Sequence, residues 1–223
     1  LEDKEHAAYF MNDLAQILVV NPRPIFLFPR SARVPYQEEV TENANVSMRA
    51  EVLNEINGGR EGCVVVSYPG ALSEKVITQK ELSAQTFGLA LGDHFTLDFL
   101  DEVFLEYGFE KVDFVYEPGQ YAMRGGIVDV FSFSFDHPYR IEFFGDEIES
   151  IRKFDPVSQL SVNKLTRATI VPNVGNKTLH KHNEAFFSFI PSNSVVWMTD
   201  VKSCELGLKK ETEYITVSYT HLR

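Results

Sequence analysis

EPGQYAMRGGIVDVFSF (Glu117–Phe133), continued by HPYRIEFFGDEIESIRKFD (His137–Asp155), is the stretch that decides how this 223-residue chain is read. It reads as three strands joined by short polar turns, and it carries the chain's most unusual polar design. In the middle strand Tyr139, Ile141 and Phe143 alternate with Arg140, Glu142 and Phe144. Successive side chains of a strand point to opposite faces. The first three therefore make an apolar face, while the last three put a cation, an anion and an aromatic ring side by side on the other. A merely solvated face has no need of Phe144.

Before the ribbon, LDFLDEVFLEYGF (Leu97–Phe109) predicts an amphipathic helix with Phe99, Leu100, Val103 and Phe104 inward and Gly108 as its stop. Helix followed by hairpin-connected strands is an α+β pattern with an antiparallel sheet. Further upstream the pattern is different. A helical face runs from about Asp3 to Leu18 (Ala7, Phe10, Met11, Leu14, Leu18) and stops at Asn21, Pro22 and Pro24. The short apolar runs IFLF (Ile25–Phe28) and CVVVSY (Cys63–Tyr68) read as covered strands, with a helix over Glu42–Ile56 ended by Asn57–Gly59 between them, and PGALSEKVITQKEL follows. Pro29 and Pro35 bracket a loop. Strand and helix in alternation predict a parallel α/β layer. After the ribbon, RATIVPN (Arg167–Asn173) predicts a strand returning to that layer, Asn173–Asn183 a polar loop, SVVWMTD (Ser194–Asp200) an apolar strand, and the tail from Glu211 another. The fold class is thus α/β, with an inserted α+β domain containing an antiparallel sheet.

Composition narrows the function classes. With 21 Lys and Arg against 32 Asp and Glu, the net charge is −11, and the cations form no run longer than two. Autonomous binding to nucleic acid is disfavoured by that balance, and an acidic surround steers toward a basic partner surface. No apolar run reaches the ~20 residues of a membrane span, so no membrane association is expected. The N-terminus shows no signal-peptide pattern and lacks a starting Met, which reads as a piece of a longer cytoplasmic protein. Cys63 and Cys204 stand far apart, outside any metal-ligand spacing, and read as buried reduced thiols.

Catalytic signatures are weak. Neither INGGREGC nor MRGGIVDV contains the GK[ST] of a phosphate-binding loop; Gly58 and Gly59 read as a helix stop, Gly125 and Gly126 as a bulge or close backbone approach. His180 and His182 lack a neighbouring Cys or carboxylate at ligand spacing, and a solvated loop outweighs a metal site. Adjacent acids such as Asp146 and Glu147 sit in a turn with no nucleophile nearby. The ribbon remains. Arg124, Arg140, Glu142 and Phe144 read either as a solvated face with internal ion pairs or as a binding face, since arginine and aromatic residues are enriched at interface hot spots.

At these residues the chain resembles the N-terminal, UvrB-like region of the bacterial transcription-repair coupling factors. The resemblance extends through AAYFMNDL, VVVSYPGALSEKV and DEVFLEYGFEKVDFVYEPGQ as well as the ribbon. UvrB, the damage-verification subunit of the excision nuclease, is a cousin with a related "EFFGDE"-like pattern. Two features favour the coupling factors. VPYQEEVTENA runs directly into the helix SMRAEVLNEI, leaving little room for UvrB's DNA-clamping hairpin. The later strand that ends in an acidic pair in UvrB ends here in Thr199 and Asp200, a degenerate Walker B position. The resemblance implies a degenerate helicase-like layer split between residues 1–90 and 171–223, around an adaptor domain at 91–170. It implies UvrA as partner, contacted by Arg124, Arg140 and Phe144, with Glu142 at an acidic position of the same motif. It also implies that this chain has no catalytic residue, cofactor or metal of its own. In the family, ATP, Mg²⁺, RNA polymerase and double-stranded DNA belong to later parts, in an ATP-dependent translocase. Two other readings stay open: a fragment of UvrB or a related ATP-dependent helicase, and a surface that packs against the parent's own motor.

Overall fold

The computed structural model describes residues 1–20, 22–31, 40–175 and 182–220. The loop bracketed by Pro29 and Pro35, the helix stop at Asn21, and His180 with most of the expected 173–183 loop lie largely outside them.

Helix α1 (Lys4–Ile17) starts at Asp3, whose carboxylate accepts from the His6 backbone N–H at 2.9 Å. It lies against strand β1 (Ile25–Leu27) and buries Ala7. Helix α2 (Val40–Asn57) crosses to strand β2 (Val64–Val66), burying Val46, Ala50, Val52 and Leu53. β1 and β2 pair in parallel, Ile25 opposite Val64, as their continuous apolar runs predict. Gly59, at φ 75°, supplies the left-handed backbone that ends α2. Short elements follow: α3 (Pro69–Leu72), β3 (Val76–Ile77), α4 (Gln79–Gln85) and β4 (Phe87–Ala90).

Helix α5 (Leu97–Glu106) opens on Thr96, whose Oγ1 accepts from the Phe99 N–H at 3.3 Å. Thr96→Ala should cost about 0.5–1 kcal/mol in a urea melt, the usual price of a lost N-cap. Leu100 and Phe104 are fully buried, but Phe99 is 44% exposed, because it stacks across the edge of the fold on Phe95 instead of facing the core.

A six-stranded sheet follows: β5 (Glu110–Lys111), β6 (Gln120–Arg124), β7 (Ile127–Val130), β8 (Tyr139–Phe144), β9 (Glu147–Phe154) and β10 (Ser161–Leu165), in the spatial order β10-β9-β8-β7-β6-β5. Only the β5–β6 pair is parallel. The ribbon read as three strands is four, because Gly125 and Gly126 form a tight turn between β6 and β7 rather than a bulge inside one strand. Gly125 has φ 59°, and a side chain on Gly126 would stand 2.8 Å from the Phe143 carbonyl oxygen. The close-approach reading of this pair is therefore correct.

β11 (Arg167–Ile170) pairs antiparallel with β4, not with the β1–β2 layer to which it was expected to return. β12 (Asn183–Glu184) pairs with β3, and the short helix α6 (Phe186–Phe189) buries Phe186 and Phe189. The strand expected over Ser194–Asp200 is absent. That stretch forms no ladder with another strand among the described residues, and Trp197 is 91% exposed. Thr199 and Asp200 therefore end no strand; Asp200 begins helix α7 (Val201–Thr220), accepting from the Lys202 N–H at 3.0 Å and the Ser203 hydroxyl at 2.6 Å. The tail read as a strand is this helix. Its β-branched residues suggest a strand only when the cap before it is ignored.

One apolar core runs from Ala7 and Phe28 through Leu89 and Phe104 to Tyr121, Ile141 and Ile151. Cys63 and Cys204 are free and half-buried rather than buried. Among the described residues no helix is long and apolar enough to cross a membrane.

Candidate partner-docking face

The alternation in β8 places its residues as the sequence predicts. Tyr139, Ile141 and Phe143 are buried in the main core, Arg140 and Glu142 are half-buried on the opposite face, and Phe144 is 80% exposed. Strand register extends this outer face across the sheet. Arg124 lies opposite Ile127, which lies opposite Glu142 and then Ser150. The next row reads Ala122, Asp129, Arg140, Arg152 and Lys164 across five strands. The four residues singled out from the sequence thus share one face.

Their partners were not legible in the pattern. Asp129, fully buried on β7, receives both arginines: Arg140 donates to it from Nε at 2.7 Å and from Nη2 at 2.8 Å, and Arg124 donates through Nη2. This carboxylate raises the Arg140 pKa above its ordinary value, outweighing burial. Arg140 also lies 4.5 Å above the Phe154 ring and donates to the carbonyl and side-chain oxygens of Gln159. Arg124 lies 5.1 Å above the Phe114 ring and donates to the Asp113 carbonyl. Glu142 accepts from Arg152 and from the Ser150 hydroxyl at 2.8 Å. The charged side chains of this face are therefore internally paired, while Phe144 stays exposed beside them.

A second small apolar cluster, Val115, Ala122, Phe131 and Phe154, lies on this outer side of the sheet. Residues 113–116 and 155–160 bring Phe114 and Gln159 to the two arginines. Alternation alone could not have found Phe114 or Gln159, since both reach the face from outside the strands. Arg140, Arg152 and Lys164 stand in neighbouring register beside Asp129, and Glu142 pairs with Arg152, so basic and acidic side chains are interleaved over the face.

Other sequence candidates gather no comparable constellation. His182 has Nδ1 3.7 Å from Glu81 Oε2, and no group of metal-ligating side chains occurs among the described residues. A shallow depression of about 180 Å³ is lined by Leu97, Asp98, Asp101, Lys111, Met123 and Gly125, and Asp101 there receives Lys111 at 2.7 Å and the Tyr121 hydroxyl at 2.8 Å.

Comparison with known proteins finds a match over the part of the chain that carries this face. Residues 87–175 match the family model described as the UvrB interaction domain. The transcription-repair-coupling factor of Myxococcus xanthus is 34% identical over 175 residues, covering 76% of this chain and 14% of that protein. The protein of the same name from Bacillus subtilis is 29% identical over 161 residues, 72% of this chain and 13% of that protein. UvrABC system protein B of Streptococcus uberis is 32% identical over 141 residues, 60% of this chain and 21% of that protein. The chain thus spans well under a quarter of the length of these curated relatives. Arg124, Arg140, Glu142 and Phe144 all fall inside the segment 87–175 that matches the UvrB interaction domain, in a chain similar over most of its length to transcription-repair-coupling factors.

Proposed function

We propose that the outer face of the six-stranded sheet docks UvrA, making this chain the recruiting adaptor of a transcription-repair coupling factor. The observation that carries the reading is Phe144. A phenylalanine 80% exposed at a hairpin end, on the same face as two anchored arginines, is an apolar anchor beside charge-assisted donors. Arg124, Arg140 and Phe144 make the contacts, and Glu142 sets the Arg152 guanidinium among them.

In this reading residues 91–170 are the adaptor, and residues 1–90 and 171–223 are a scaffold descended from a helicase-like layer. Thr199 and Asp200 hold no nucleotide there. The chain contributes no catalytic group, cofactor or metal site. ATP- and Mg²⁺-dependent translocation on double-stranded DNA, and contact with RNA polymerase, belong to the remainder of such a protein, which acts in the cytoplasm.

Titrating purified UvrA against the chain tests the proposal. Phe144→Ala, Arg140→Ala and Arg124→Ala should each weaken binding by ~1–3 kcal/mol. Unchanged affinity in all three, with melting temperatures near wild type, would remove the face from the interface. ATP hydrolysis by the chain alone would replace the adaptor reading with the enzyme one.

A further inference from the structure

We propose that Asp129 is the positioning residue of the docking face: its buried carboxylate, shared between Arg124 and Arg140, holds both guanidiniums in place before an acidic partner arrives. The inference rests on the docking reading above. It concerns a residue that cannot itself reach a partner, since Asp129 has no exposed surface.

The geometry assigns each carboxylate oxygen. Oδ1 accepts from Arg140 Nε at 2.7 Å, while Oδ2 accepts from Arg140 Nη2 at 2.8 Å and also from Arg124. The Arg140 contact is therefore two-pronged, and it fixes the plane of the guanidinium as well as its position. Both arginines stay accessible, with side chains 39% and 20% exposed. One anion against two cations leaves a net positive station at the centre of the face.

Supports outside the strands act in the same direction. Gln159 has φ 60°, a left-handed backbone that side chains other than glycine seldom adopt. Its amide donates to the Pro156 carbonyl at 2.7 Å and the Val115 carbonyl at 3.3 Å, leaving Oε1 to accept from Arg140 at 3.3 Å. Phe154 and Phe114 lie beneath the two guanidiniums. Free arginine side chains lose much rotamer entropy when a partner immobilises them, and that loss is removed when they are already held. A buried ion pair is a poor stability device compared with an apolar residue of similar size. What the carboxylate accomplishes at this position is orientation.

The test compares Asp129→Asn with wild type in a UvrA titration, alone and in the Arg124→Ala/Arg140→Ala background. The isosteric amide removes the charge and keeps the shape. UvrA affinity should fall roughly tenfold or more, because hydrogen bonds to a charged group are lost at both arginines. In the double-variant background the same change should cost no further affinity, an outcome that a purely structural role would not give. Nitrogen-15 NMR supplies a readout needing no variant: the Arg140 Nε–H of the wild-type chain should exchange slowly with water, and Asp129→Asn should make that exchange fast. Rapid exchange in the wild type overturns the proposal even if Asp129→Asn fails to fold. So does wild-type affinity in Asp129→Asn while Arg140→Ala still binds weakly. Wild-type affinity in Arg124→Ala and Arg140→Ala would instead remove the docking reading on which the proposal rests.

Discussion

Arg49→Ala is expected to lower the unfolding free energy by about 3–5 kcal/mol, the range found when one partner of a buried pair is removed. Arg49 is 1% exposed and lies at the heart of the α/β half. Its Nη1 donates to the Pro29 carbonyl at 2.8 Å and lies 3.3 Å from Glu74 Oε2, and its guanidinium sits 4.2 Å from the centre of the Phe28 ring. Burial pulls its pKa down to about 10, with Glu74 opposing, so the group stays charged at neutral pH. Because that value lies below the ordinary arginine range, the group's contribution to stability improves only as the pH rises past about 10. Alanine would leave a cavity, strip the Pro29 carbonyl of a donor and remove one cation from Glu74. The carboxylate would keep the Ser31 N–H and hydroxyl at 2.8 and 2.7 Å and the Arg30 guanidinium at 3.4 Å. Arg49→Met, which refills the volume, should therefore cost roughly half as much. Urea denaturation measures both, and a loss under about 1 kcal/mol for alanine would mean that Arg49 is carried by the fold rather than supporting it.

The fold was legible where local pattern and tertiary partner agreed. β1 and β2 are continuous apolar runs, and they pair in parallel as such runs should. β8 alternates strictly, and its two faces go where alternation sends them. Ser194–Asp200 shows the limit. Its apolar run is as strand-like as β2, yet it lies exposed and outside any strand, because a strand is defined by a hydrogen-bonding neighbour that sequence periodicity does not contain. The Gly125–Gly126 turn shows a related limit: two glycines signal a close backbone approach, but they fit a bulge and a hairpin equally well, and register decides.

The site divides the same way. Arg140, Glu142 and Phe144 share a face by spacing within one strand, whereas Arg124 stands on another strand, and structure joins it to Arg140 through a common acceptor. Nothing in the spacing of IVDV marks Asp129 as the shared acceptor of two arginines from other strands. Its carboxylate is closed off by the two arginines that it holds, together with residues outside the strands.

Phe104→Ala should also remove about 3–5 kcal/mol, as large-to-small changes at fully buried aromatic positions do. The ring has no exposed surface and lies 5.1 Å from Tyr121 and 5.7 Å from Phe109, centre to centre. Tyr121 is fixed from two sides, its ring in this core and its hydroxyl on Asp101 at 2.8 Å, so the site can collapse only by moving β6. The cavity should therefore persist, and the cost should lie toward the upper end. The result separates scaffold from surface. Phe104 supports the inner face of the sheet, and Arg124, Arg140 and Phe144 occupy the outer one, a strand's thickness away. Folded Phe104→Ala, held below its lowered melting temperature, should bind UvrA with wild-type affinity, while Phe144→Ala should lose affinity with its melting temperature intact. If the two variants lost affinity equally under folding conditions, the sheet would be transmitting strain from core to surface, and the outer face could not be treated as a rigid platform.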